Sequence, residues 1–239
     1  MDVDLLALGL LWYVVFLFST TCHEAAHAFA AKLGGDLTAF EVGQVTLNPW
    51  PHIRREPFGM VLIPLLSFVL SRGMIGWASA PYDPVWQRRY PRRAAWMSLA
   101  GPAANFGLVV LAAVLIHAGI WYGIFQAPRV ANFTHVVESS GTDWADGAAQ
   151  LLSIVFSLNL MLGAFNLLPV MPLDGFSALP LLLPERAGRT LLEWGERARA
   201  FSFVGLIIGW RIFDYLYDPI FSRALIWLYP HTAYGPFGL

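Results

Sequence analysis

Residues 5–31 read LLALGLLWYVVFLFSTTCHEAAHAFAA: uncharged from Leu5 to Cys22, then His23-Glu24-Ala25-Ala26-His27, then apolar again to Ala31. A helix that crosses a bilayer needs about 20 mostly apolar residues, and this run supplies them. Near its end it carries three ionisable groups. Histidines four residues apart share one helical face, about 6 Å apart, so both imidazoles can reach a single ion. A glutamate between them is the right type of group to hold and deprotonate a water on that ion. Charged side chains in hydrocarbon cost about 2–3 kcal/mol each, which disfavours a chance occurrence of this pattern inside a span. Asp2 and Asp4 flank the start in place of a basic region, and no small-x-small cleavage site follows. The stretch is therefore expected to be a true span and not a signal peptide.

The whole chain agrees with that reading. Of its 239 residues 57% are hydrophobic and 13% charged, and the mean hydropathy is +0.56. A soluble domain carries about 25% charged residues, so a soluble enzyme and a disordered chain are both disfavoured. A net charge of -1 gives no electrostatic footprint for nucleic acid. The single cysteine, Cys22, excludes a disulfide framework and a zinc site built mainly of thiolates. It adjoins His23, but neighbouring side chains diverge on a helix, so it reads as a packing residue.

Further uncharged runs cover Ala94 to Gly119 and Gly147 to Leu173, and a fourth candidate runs from Ala200 to Tyr217 with Arg211 and Asp214 near one end. Ile220 to Tyr229 is too short to assign as a span. The apolar run GMVLIPLLSFVL at 59–70 contains Pro64 and is followed by Arg72-Gly73, which suits a segment that enters the membrane and returns. Basic residues group in three connectors: Lys32, Arg54 and Arg55; Arg88, Arg89, Arg92 and Arg93; and Arg186, Arg189, Arg197 and Arg199. Connector 120–146, polar and exposed by its composition, holds only Arg129. The first three are thus expected on the cytoplasmic side and the N-terminus outside. Residues 37–47, LTAFEVGQVTL, alternate weakly around Gly43-Gln44 and read as a short hairpin. The expected fold is an all-α polytopic membrane protein with about four transmembrane helices, a re-entrant segment at 58–80 and a small β-hairpin. It forms one domain, 1–239, with a core over about 5–183 and C-terminal helices over 184–239.

Catalytic zinc takes three protein ligands and keeps one position open, so the histidine pair needs a third partner. Asp174 stands in Asn166-Leu-Leu-Pro-Val-Met-Pro-Leu-Asp174-Gly175, where Pro169 and Pro172 break the third span. The first and third spans run in the same direction, which brings Asp174 to the side of His27. Glu41, in the expected hairpin, is the competing candidate. His52, His117, His135 and His231 are scattered and read as locally satisfied.

The HExxH of 23–27, Gly101-Pro102-Ala-Ala-Asn105 in the second span, and the Asn166–Gly175 segment occur in one order across residues 23–175. Together they resemble the site-2 protease family of membrane-embedded zinc metalloproteases. The resemblance implies one Zn2+ held by His23, His27 and Asp174, with Glu24 as general base. It implies substrate-side roles for Asn105 and Asn166, the latter also supporting the loop of Asp174. The expected partners are a transmembrane protein or peptide substrate and the lipid bilayer, with no nucleic acid. Cleavage is expected within or near the cytoplasmic side of a prokaryotic cell membrane. No interval between the motifs has room for a PDZ or CBS module, and Gly76-Trp77-Ala78 is similar to a turn of the family's compact group. The hairpin or the re-entrant segment would hold substrate as an added strand. A metal-binding transporter or a scaffold that kept the fold without proteolysis is the alternative, although no repeat symmetry or paired broken helices favour a transporter.

Overall fold

The protein is described here from a computed structural model covering residues 3–230, so His231 lies outside the described residues. The first span is one helix, α1 (Val3–Gly34). Buried Asp36 then anchors the chain: its Oδ1 accepts from Thr38 N and Oγ1 at 2.9 and 2.6 Å, and its Oδ2 from Asp83 N at 2.8 Å.

The hairpin expected at 37–47 does not form. Residues there make a single helical turn, α2 (Thr38–Glu41). Gly43, at φ +76°, turns the chain, but Gly43 N bonds Phe40 O and Gln44 N bonds Ala39 O, at 3.0 and 2.9 Å. The turn therefore closes onto the preceding helix and not across a strand pair. The short, irregular alternation of apolar and polar residues is too weak a pattern to outweigh those local bonds. The two-stranded antiparallel sheet lies instead in the 120–146 connector, where Phe125–Gln126 (β1) pairs with Glu138–Ser139 (β2).

After α3 (Trp50–Arg55), a π-helical turn at Phe58–Leu62 runs into α4 (Ile63–Ser71). This apolar helix is shorter than the four that can cross a membrane. The chain returns without regular structure, and Trp77 N donates to Gly59 O at 3.1 Å, so the two ends of the segment lie side by side, as a re-entrant element requires. Gly59 is needed for that approach: a Cβ there would overlap the carbonyl oxygen of Trp77.

The bundle is completed by α5 (Pro84–Arg89), α6 (Pro91–Trp121), α7 (Asp143–Asn166), α8 (Asp174–Ala178), α9 (Glu185–Arg197) and α10 (Ser202–Leu228). Among the described residues four helices are long and apolar enough to span: Leu5–Gly34, Pro91–Trp121, Asp143–Asn166 and Arg199–Leu228. The fourth runs on through Pro219 to Leu228 and does not stop near Tyr217, so the segment from Ile220 belongs to it. In an apolar setting a proline removes one helix bond, but leaving the helix would expose many more backbone groups.

α6 packs between α1 and α7. One core joins α6, α7, α10 and the β1–β2 connector through Ile116, Val136, Phe156 and Leu225. A second joins α1 to α4 and α7 through Trp12, Phe16, Phe68 and Leu158. The outer faces are apolar as well, including Leu10, Val14, Val110, Val114 and Phe203, an arrangement suited to lipid and not to water.

Gly59→Val is expected to wedge the two arms of the re-entrant segment apart. The cost should be about 1–3 kcal/mol, as for other overpacked sites, read as a lowered thermal midpoint of the detergent-solubilised protein. An unchanged midpoint would contradict this close packing.

Candidate metal centre

Three elements bring the donors together. α1 presents His23 and His27 on one face. α6 crosses it with the small-residue stretch Ser98-Leu-Ala-Gly-Pro-Ala-Ala-Asn105. α7 ends at Asn166, the chain unwinds past Pro169 and Pro172, and α8 begins at Asp174. That return needs Gly175, because a Cβ there would overlap the carbonyl oxygens of Leu167 and Leu168.

The result is compact. His23 Nε2 lies 3.0 Å from His27 Nε2, and Asp174 Oδ2 lies 3.1 Å from the former and 3.3 Å from the latter. Among the described residues these three side chains form a group able to hold a metal ion. Four-coordinate zinc with bonds of about 2.0–2.1 Å sets its ligand atoms roughly 3.3 Å apart, so the spacing fits that ion.

The hydrogen bonding fits too. His27 Nδ1 lies 2.7 Å from the carbonyl oxygen of Met97. A carbonyl only accepts, so Nδ1 carries a proton, and in the neutral ring Nε2 then has the lone pair. His23 Nδ1 lies 2.6 Å from Asn105 Oδ1. Buried Asp174 Oδ2 lies within 3.3 Å of both Nε2 atoms. With the rings neutral and each Nδ1 proton turned away, the three atoms converge as the donor set that a bound cation would use.

Gly101 lies against both rings. A Cβ at this position would overlap Nε2 of His23 and of His27. Pro102 follows, and having no N–H it leaves the carbonyl of Ser98 without its usual helix partner.

Other expected residues fall as follows. Glu24, between the two histidines, is 5% exposed. Asn105 is fully buried behind His23, its amide bonded to His23 and to Asn159, so in this arrangement it supports the imidazole. Asn166 Nδ2 donates to Leu162 O on its own helix at 3.0 Å. Glu41 is exposed on α2 and takes no part in the donor group. Because α2 replaces the hairpin, no strand edge stands at 37–47 to receive a substrate. His52 and His135 are locally paired, with Thr46 O and Glu138 Oε1. No sequence signal marks Met97, whose backbone carbonyl meets His27 whatever its side chain, or Asn159, which lies in none of the motifs read above. Gly101 was visible only as part of the Gly-Pro element.

Residues 11–209 match the family described as Peptidase family M50. The chain belongs to this family, the site-2 proteases. It is 39% identical over 209 residues to "Putative zinc metalloprotease YwhC" of Bacillus subtilis, a match covering 84% of this chain and 81% of that protein. It is 33% identical to "Putative zinc metalloprotease Rip2" of Mycolicibacterium smegmatis, over 75% of this chain and 61% of that protein. The Rip2 of Mycobacterium tuberculosis strain H37Rv is 30% identical, over 81% of this chain and 63% of that protein. No solved structure matches the chain. The M50 chain is accordingly a multi-pass membrane protein of the zinc metalloprotease class, and His23, His27 and Asp174 form a group that can hold a metal ion.

Gly101→Ala is expected to push the imidazoles apart and weaken zinc binding by about 10- to 100-fold, the range seen when groups that orient metal ligands are disturbed. Chelator competition on the purified protein measures this, and wild-type affinity in the variant would contradict the cradle.

Proposed function

We propose that this M50 protein is a single-domain intramembrane endopeptidase. It hydrolyses peptide bonds of transmembrane substrates within the bilayer, towards its cytoplasmic side. His23, His27 and Asp174 hold one zinc ion and Glu24 is the general base. The observation that carries the reading is the convergence of His23 Nε2, His27 Nε2 and Asp174 Oδ2 on one point, with Glu24 buried on the same helical turn. The basic connectors support a cytoplasmic site, since α5 and α9, rich in arginine, pack together through Arg88 and Glu196 at 2.6 Å. Exposed Trp121, Tyr122 and Trp144 mark the opposite ends of α6 and α7, as an interfacial aromatic belt would.

Zinc held by His23, His27 and Asp174 would supply Lewis acidity, to polarise a carbonyl and to lower the pKa of water to about 7. Glu24 removes the proton from the attacking water and returns it to the departing amide nitrogen. Burial of its carboxylate keeps that proton from leaking to bulk solvent. His23 and His27 would offer Nε2 to the ion, with Nδ1 held by Asn105 Oδ1 and Met97 O. A helical substrate hides its peptide bonds in its own backbone bonds, so the scissile segment must unwind before Glu24 can serve it.

The test co-reconstitutes purified protein with single-span substrates. Glu24→Gln should keep its zinc and lose about 10²- to 10⁴-fold in cleavage rate, the usual range for a general base. Asp174→Ala should lose both zinc and cleavage. Undiminished proteolysis by Glu24→Gln would defeat the assignment, and a wild type that binds zinc but cuts no substrate would defeat the proteolytic reading itself.

A further inference from the structure

Three fully buried polar side chains, Ser19, Asn105 and Asn159, link α1, α6 and α7 in the middle of the bundle. Asn159 Nδ2 donates at 2.8 Å to the carbonyl of Val155, one turn earlier on α7, and at 2.8 Å to Ser19 Oγ on α1. Asn159 Oδ1 accepts from Asn105 Nδ2 at 2.8 Å, and Asn105 Oδ1 meets His23 Nδ1 at 2.6 Å. Two amides buried in apolar surroundings are costly unless their groups are bonded, and here each amide is engaged at both ends.

The two ends of an asparagine amide look alike, as do the two nitrogens of an imidazole, and partners decide which is which. One partner in this chain allows no choice. The carbonyl of Val155 has no proton, so Asn159 must turn its NH2 towards it; the opposite orientation would set two oxygens 2.8 Å apart. Asn159 Oδ1 then faces Asn105, which must answer with its own NH2. Asn105 Oδ1 is left for His23, and only a protonated Nδ1 can meet it. In the neutral ring the lone pair is then on Nε2, which faces His27 Nε2 and Asp174 Oδ2. Ser19 sets no direction, because a hydroxyl both donates and accepts.

We propose that Asn159 is a positioning residue which, through Asn105, fixes the Nδ1-protonated tautomer of His23 and keeps Nε2 available to the metal. The proposal rests on the reading of His23 as a ligand. It places the two imidazoles under the same kind of control. His27 is set directly by the backbone carbonyl of Met97, and His23 is set by the backbone carbonyl of Val155 acting through two side-chain amides.

Asn159→Leu removes the amide at similar volume and frees Asn105 to rotate. Zinc affinity by chelator competition should fall about 10- to 100-fold. NMR of isotope-labelled histidine nitrogens should show His23 as one tautomer, Nδ1-protonated, in wild type and as a mixture in the variant. Ser19→Ala should leave both readouts near wild type, since Val155 still orients Asn159. A wild-type His23 protonated on Nε2 would overturn the proposal, as would Asn159→Leu with unchanged zinc affinity and a single tautomer. Should Asn159→Leu fail to fold, the wild-type spectrum decides: Nδ1–H supports the relay and Nε2–H overturns it. Neither readout needs a substrate, so a wild type that holds zinc through this tautomer without cleaving peptides would defeat the proteolytic reading and leave the relay intact.

Discussion

His23 Nε2, His27 Nε2 and Asp174 Oδ2 stand 3.0–3.3 Å apart, the spacing of ligand atoms around one small ion. In water three such groups would drift apart at little cost and fill the gap with solvent. Inside an apolar bundle the protein has to hold the atoms at that spacing itself. It does so from behind. Each ring is held through its other nitrogen, by Met97 O or Asn105 Oδ1, while Gly101 leaves the space that the front edges of both rings occupy. Much of the packing of α6 against α1 follows from this need, since a side chain at residue 101 would separate the two helices at the depth where the rings must meet.

The surrounding hydrocarbon imposes a second constraint, that backbone polar groups find partners within the chain. The long helices meet it by themselves. The segments that cannot be helical meet it through particular bonds. Trp77 N bonds Gly59 O across the re-entrant loop, Ile75 N bonds Ser67 Oγ, and Leu173 N bonds Val170 O where the chain unwinds before Asp174. Irregular backbone at these places lies against other parts of the protein. Glycines at 59, 76 and 175 allow that contact, because a Cβ at any of them would strike a backbone carbonyl.

These two constraints explain what the sequence disclosed. The spans were legible because hydropathy over twenty residues is a summed signal. The metal ligands were legible because ionisable groups are costly in such spans and stand out against them. The direction of the first and third spans put Asp174 on the side of the histidines, and the resemblance to the family favoured it over Glu41. The hairpin at 37–47 was misread because its alternation is short, and the outcome was decided by Asp36, which takes the N–H and hydroxyl of Thr38 and the distant N–H of Asp83. The end of α10 stayed open because Ile220 to Tyr229 is short by itself, whereas the helix carries on through Pro219 to Leu228. Asn159 was invisible for a different reason. Its importance comes from pairing across 54 residues with Asn105 and 140 with Ser19, and no local pattern encodes that.

The same logic bears on where the working part of the chain ends. Of the three donors only Asp174 sits at the edge of non-helical backbone, so its position depends on whatever holds residues 167–173. Part of that support comes from α10, which begins well beyond the recognised motifs. Leu168 and Leu173 pack with Phe213 in one small core, joined by Phe165 and Tyr217. Gly205 lies so close to the loop that a Cβ would overlap the carbonyl oxygen of Met171, and Gly209 faces Leu173 and Leu168. A division into a catalytic core ending near 183 and accessory C-terminal helices therefore cuts through a packed contact. The carboxylate belongs to the loop, but its placement is shared with a helix that carries no ligand.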